Sequence, residues 1–162
     1  MSQLTYIGLG SNLGDSQQIL AEAYHKLATL GTVKASKLYQ SSPMGPQDQP
    51  NYHNAVVALT TALAPLELLD KLQQFEQESG RVRLRHWGER TLDLDLLIYG
   101  QQQIQNERLT VPHVGVLERD FVLIPLLDLE PNLVVNDQLI KDLDVVQQSD
   151  LTVLANESWV NI

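Results

Sequence analysis

The amino-acid sequence predicts an α+β fold: an antiparallel sheet with helices on one face, followed by C-terminal additions. Three observations predict it. Short runs rich in Val, Ile, Thr and Leu alternate with two segments whose apolar residues recur at helical spacing. The 162 residues, 43% of them apolar, are enough to bury a core without staples. Turn-forming Gly and Pro fall between several of these segments, at Gly10-Ser11-Asn12, Gly31, residues 43–50 and Gly80.

Taken in order, residues 4–9 read as a first strand running into the turn Gly10-Ser11-Asn12. Asp15 or Ser16 can cap a helix that carries Ile19, Leu20, Ala23, Leu27 and Leu30 on one face, with Gly31 as its stop. Residues 33–39 give a second strand, and 41–50 a loop by their prolines and glycine. Residues 54–63, rich in Val, Ala and Thr, give a third strand. Pro65 suits the first turn of a second helix, with Leu66, Leu69, Leu72 and Phe75 along one face and Gly80 beyond its end. Residues 91–99 make the fourth strand. The order β-α-β-β-α-β is that of the split-βαβ, ferredoxin-like arrangement. Residues 101–162 add a hairpin-like stretch, a helix around 117–127 interrupted near Pro125, and an irregular tail. One domain over residues 1–162 is expected.

Composition narrows the function. The absence of cysteine rules out a disulfide framework, a thiolate zinc site and a cysteine nucleophile. No apolar run approaches the roughly 20 residues of a spanning helix, so no membrane partner is expected. A net charge of −9 argues against nucleic-acid binding, which draws its affinity from cationic contacts. Seven of the acids fall in residues 128–162 against Lys141 alone, a solvated surface. A cytoplasmic monomer is the expectation.

The most informative stretch is 81–99, where an arginine cluster precedes a strand-like run carrying Asp93 and Asp95. On a strand these two carboxylates share a face, with Cα atoms about 6.6–7 Å apart, while Leu92, Leu94 and Leu96 turn to the core. Such a pair beside guanidinium groups suits a Mg²⁺-bound polyphosphate. Carboxylate oxygens hold the hard cation, and arginines meet phosphate as planar bidentate donors. A half-buried edge strand with a solvated face would show the same alternation. The cations separate the two readings. All six arginines lie between 81 and 119, and all five lysines lie outside that window.

Other candidates are weaker. Gly10-Ser11-Asn12-Leu13-Gly14 lacks the Gly-Lys-Ser/Thr of a phosphate loop, so a tight turn is the default. Tyr52 and Asn54 share one strand face and would suit a flat heterocycle, although both types are common near turns. Gln73 and Glu76 read as a solvated helix face. His113, after Pro112, can donate to a phosphate. Arg119 and Phe121 open the late helix and would either close a pocket or serve as rim and core. No second His or Cys stands at ligand spacing, which argues against a transition metal.

Four stretches carry a family resemblance: Ile7-Gly8-Leu9-Gly10-Ser11-Asn12-Leu13; Gly45-Pro46-Gln47-Asp48-Gln49-Pro50 with Tyr52 and Asn54; Gly80-Arg81-Val82-Arg83 leading to Trp87-Gly88 and Arg90-Thr91-Leu92-Asp93-Leu94-Asp95; and Glu107-Arg108-Leu109-Thr110-Val111-Pro112-His113. On these the chain resembles the 6-hydroxymethyl-7,8-dihydropterin pyrophosphokinases of folate biosynthesis. The resemblance implies transfer of the terminal pyrophosphoryl unit of ATP to the pterin hydroxymethyl group, releasing AMP. It implies that Asp93 and Asp95 hold two Mg²⁺ ions and that Arg81, Arg83 and Arg90 act on the phosphates. It further implies an ATP site of Gln73, Glu76, Arg83, Trp87, Arg90, Leu96, Arg108, Thr110, His113 and Arg119. The pterin would meet Ser42, Pro43, Gly45, Tyr52, Asn54, Trp87, Asp93 and Phe121, with its ring between Tyr52 and Phe121. Trp87 would belong to a mobile loop that closes over both substrates. Three departures from the family pattern stand out: Ser42-Pro43-Met44 in the pterin loop, a shorter step from Arg83 to Trp87, and Val114 after the histidine. Two rivals explain less. A nucleotide-sugar transferase accounts for the carboxylates but not the arginines, and an RNA-binding module would need a basic, aromatic sheet face.

Overall fold

The chain runs β1 (Gln3–Ser11), α1 (Ser16–Leu27), β2 (Gly31–Ala35), β3 (Leu38–Ser41), β4 (Tyr52–Thr61), α2 (Pro65–Glu78), β5 (Asp93–Tyr99), β6 (Ile104–Gln105), β7 (Thr110–Val111), α3 (Asp120–Leu129), β8 (Val134–Val135), β9 (Gln138–Leu139), α4 (Asp144–Gln147) and β10 (Thr152–Ala155). The structure is a computed structural model and describes residues 2–12, 14–42, 51–79 and 91–161. The main sheet has the order β10-β3-β4-β1-β5, with β2 also paired to β4. Every neighbouring pair in it is antiparallel.

Period-two alternation gives this sheet two apolar faces. Ile7, Leu9, Val57, Leu59, Leu94 and Leu96 pack on one face against Leu20 and Leu27 of α1 and Leu68 and Leu72 of α2. Tyr6, Val56, Leu97 and Ile98 pack on the other against Val122, Leu123 and Leu126 of α3. The first two helices therefore share a face as expected, and the C-terminal α3 covers the opposite one. Asp15 caps α1, its carboxylate accepting from the Gln18 N–H. Pro65 stands at the start of α2, where the Glu67 carboxylate accepts from the Ala64 N–H at 2.9 Å.

Several sequence expectations are corrected. The strand expected over 33–39 is two strands, because the register steps from Ala35↔Val57 to Tyr39↔Asn54 with one extra residue on the β2–β3 side. Ser36 sits in that step, fully buried, and its hydroxyl accepts the Val56 N–H at 2.9 Å in place of a backbone carbonyl. Gly31 does not stop α1. It opens β2, and a Cβ there would lie 1.9 Å from the Thr60 carbonyl oxygen, so glycine is needed for strand approach. Gly10 and Ser11 belong to β1 and not to the turn. Pro125 does not interrupt the late helix. It is buried inside α3, which begins at Asp120 after a separate 3₁₀ turn at Val116–Glu118. Nor is the tail irregular, since β10 adds a strand to the sheet beside β3.

Candidate functional site

The site lies at the end of the sheet where β1, β4 and β5 carry Gly10, Asn54 and Asp93, on the face covered by α3. These three residues form one row across the sheet, Asn54↔Gly10↔Asp93, and Tyr39 extends it onto β3. Asp95 stands two residues on, opposite Gly8. Both aspartates are half-buried and alternate with buried Leu92, Leu94 and Leu96, as the period-two reading requires. Two glycines on β1 thus face the two carboxylates. At Gly8 the neighbouring space is taken by the Leu97 side chain, but at Gly10 it opens toward Asn54 and Tyr52.

Asn54 is 5% exposed and its Nδ2 donates to Ser41 Oγ at 2.7 Å. That bond fixes the amide and turns its Oδ1 toward the bare face of Gly10, where an added Cβ would lie 3.5 Å away. Tyr52 stands half-buried two residues before, and Phe121 stands half-buried at the start of α3. Ser42 and Phe121 line a cavity of about 450 Å³, together with Gln40, Ser41, Asn51, Asp120, Asp150, Leu151 and Thr152.

His113, in the segment that follows β7, lies near enough to Asp93 and Arg119 to feel both charges. The His113 N–H donates to the Leu97 carbonyl at 2.9 Å, anchoring the segment to the outer edge of β5. Its Nδ1 accepts from the Gly115 N–H at 3.1 Å, which leaves the neutral ring's proton on Nε2 as a donor. Burial pushes the His113 pKa down, the Arg119 guanidinium lowers it further, and Asp93 pulls the other way. The Arg119 guanidinium lies across Gly115, where any Cβ would come within 2.8 Å of its Nε.

On the far side of β5, Arg108 reaches from the β6–β7 hairpin to α2. Its Nη2 donates to Asp70 at 2.6 Å and to Gln73 at 3.2 Å. Thr110 is exposed on β7 beside it. Glu76 is not the solvated position its helix pattern suggests. It is 5% exposed, and its carboxylate accepts the Leu94 N–H at 2.8 Å, joining α2 to the strand between the two aspartates. The Leu96 side chain is buried in the core against α1 and α2. Pro43, Gly45, Arg81, Arg83, Trp87 and Arg90 lie outside the described residues.

Among the described residues no cluster of three or more His, Cys, Asp and Glu is arranged to hold a metal. The donor set on β5 is two carboxylates. It suits Mg²⁺, which typically takes one or two carboxylates and completes its shell with phosphate oxygens and water. Gly10 was read from sequence as part of a turn and not as a position on the strand face, and Gly115 and Asp120 were not singled out. The only available signal was the Gly8-Leu9-Gly10 alternation, which matches Asp93-Leu94-Asp95 in period.

Fold and geometry define a class, a small mixed α+β protein with a polar, carboxylate-bearing candidate site at one end of an antiparallel sheet. The chain belongs to the 7,8-dihydro-6-hydroxymethylpterin-pyrophosphokinase family, whose model matches residues 6–131. It is 52% identical over 142 residues to the 2-amino-4-hydroxy-6-hydroxymethyldihydropteridine pyrophosphokinase of Haemophilus influenzae, covering 85% of this chain and 89% of that protein. It is 50% identical over 136 residues to the protein of the same name from Pseudomonas aeruginosa, covering 82% and 84%. The wild-type HPPK-DHPS crystal structure from Plasmodium falciparum aligns with a TM-score of 0.68 at 15% identity, over 88% of this chain. The chain spans only 44% of that longer protein, and the likeness speaks to the fold alone. Among the described residues, no helix is long and apolar enough to cross a membrane.

Proposed function

We propose that the chain transfers the terminal pyrophosphoryl group of ATP to the hydroxymethyl group of 6-hydroxymethyl-7,8-dihydropterin, giving the pterin diphosphate and AMP. Family membership and relatives at 52% and 50% identity that are named for this chemistry support the assignment. The observation that carries it at the site is the row Asn54–Gly10–Asp93. An amide that can read a ring edge and a carboxylate suited to a phosphate-bound cation share one face two strand spacings apart, roughly 10 Å, with only a glycine between them. The strand order β5-β1-β4 with β2 and β3 alongside supports reading the core as ferredoxin-like βαββαβ.

In this reading Tyr52 and Phe121 flank the pterin ring, and Asn54 and the backbone of Ser42, Pro43 and Gly45 meet its edge. Asp93 and Asp95 would hold two Mg²⁺ ions. Held by these two carboxylates, such ions would supply charge neutralisation to the triphosphate. His113 donates from Nε2 to a phosphate oxygen, with Arg119 alongside. Arg81, Arg83 and Arg90 supply further positive charge, since a loose transition state needs neutralisation more than covalent help. Gln73, Arg108 and Thr110 line the nucleotide side, with the buried Glu76 and Leu96 supporting it from behind, and Trp87 closes over both substrates. Residues 1–162 act as one domain, a monomer of the cytoplasm. Product identity tests the proposal. AMP should form only when the hydroxymethyl-dihydropterin is present, whereas ADP, or AMP formed without the pterin, would overturn it.

A further inference from the structure

We propose that residues 148–152, beyond the stretch that matches the family, complete the acceptor pocket and position Phe121 through a Ser149–Asp120 hydrogen bond. The inference rests on the reading of Phe121 as a wall of the pterin site. The cavity of about 450 Å³ has one wall on β3, from Gln40 to Ser42, and another at the start of α3, at Asp120 and Phe121. Asp150, Leu151 and Thr152 close the gap between them. This third wall is tied down by main-chain pairing, because β10 pairs with β3 at Thr152↔Gln40 and Val153↔Tyr39.

A side-chain link then joins the wall to the helix. The Ser149 hydroxyl donates to Asp120 Oδ2 at 2.7 Å and accepts the Leu151 N–H at 3.1 Å. Asp120 is the first residue of α3 and the immediate neighbour of Phe121. The residue before α3, Arg119, is extended, and its side chain makes no capping hydrogen bond. Ser149 is therefore a positioning residue: it holds the first turn of α3 from outside the helix, and with it the ring of the next residue, Phe121.

Steady-state kinetics on the full chain test this. Ser149→Ala should raise KM for the hydroxymethyl-dihydropterin about three- to tenfold, the loss of one hydrogen bond, while kcat, KM for ATP and the melting temperature stay near parental. Asp120→Ala, which removes the acceptor in place of the donor, should give the same split, and Ser149→Thr should restore the parental KM. Parental pterin KM in both alanine variants, with a raised KM in Phe121→Ala, would leave the pocket reading standing and overturn the role of the tail. Unchanged pterin KM in Phe121→Ala as well would overturn the pocket reading and the proposal with it. A fall in stability with equal losses toward both substrates would show that the tail is packing alone, and would also overturn it.

Discussion

A methyl group added at Gly10 would lie 3.5 Å from Asn54 Oδ1 and 4.0 Å from Tyr52 Cδ1, both ordinary contacts. The strand therefore accommodates alanine, which also costs less backbone entropy than glycine. The same methyl stands between Asn54 and Asp93, where the acceptor ring is proposed to lie. Gly10→Ala should keep the parental melting temperature and raise the acceptor KM by about tenfold, as overpacking a fitted site does. An unaltered acceptor KM would place the ring elsewhere. Glu76 acts in the opposite way, through what it bonds. Glu76→Ala leaves the buried Leu94 N–H without that carboxylate and should cost about 1–3 kcal/mol in urea denaturation. Glu76→Gln, which keeps an acceptor oxygen, should recover most of the loss. Equal stability of the two variants would mean the hydrogen bond contributes nothing.

Among the elements, α1, α2, β1, β4 and β5 were legible because each carries its period over a full face, and Asp93, Asp95, Tyr52 and Asn54 were placed on faces by the same rule. The break between β2 and β3 was not legible. It depends on Ser36 standing in for a backbone carbonyl, and on Asp128 of α3, whose Oδ2 accepts from the Lys37 N–H at 3.2 Å and the Tyr39 hydroxyl at 2.6 Å. β10 was hidden for another reason: Val153 and Leu154 are 51% and 41% exposed, so no alternation marks the strand, and only its pairing with β3 defines it. Gly10 and Gly115 matter through the absence of a side chain, and Ser149 through a contact 29 residues away, which no local pattern displays. Burial, and then the bond to Asp128, push the Tyr39 hydroxyl pKa well above its ordinary value. Asp128→Ala removes the acceptor of two donors at once and should cost about 1–3 kcal/mol, whereas Tyr39→Phe should cost about 0.5–1.5 kcal/mol. Chemical denaturation that ranks Tyr39→Phe as the more damaging would show that Asp128 does not tie α3 to the bulge.

The molecule as a whole closes on itself through the chain after α3, which passes from the α3 face to the α1 face. Trp159 is buried in the core shared with α1, donates from Nε1 to the Ser36 carbonyl at 2.8 Å, and stacks edge-on with Tyr24. Both faces also carry a histidine that resists protonation. His113 does so on the α3 side. His53, beside Ser11 in the β1–β4 register, is pushed below its ordinary pKa of 6.5 by burial, against smaller opposing effects of a backbone hydrogen bond to Ser11 and the charge of Asp15. Its Nδ1 is buried with no hydrogen-bond partner among the described residues, so a proton added there would be a buried donor without an acceptor. The sign follows. Between the folded pKa and 6.5 the unfolded chain binds more protons than the folded one, so stability falls as pH is lowered through 6.5 and is fully reduced below the folded pKa. Urea midpoints taken from about pH 8 down to about pH 5 should therefore decline from near neutrality, well above the range where carboxylates titrate. His53→Gln, which cannot titrate, should give a shallower decline whatever its stability at neutral pH. Identical slopes in parent and variant would remove His53 from the acid sensitivity of the fold.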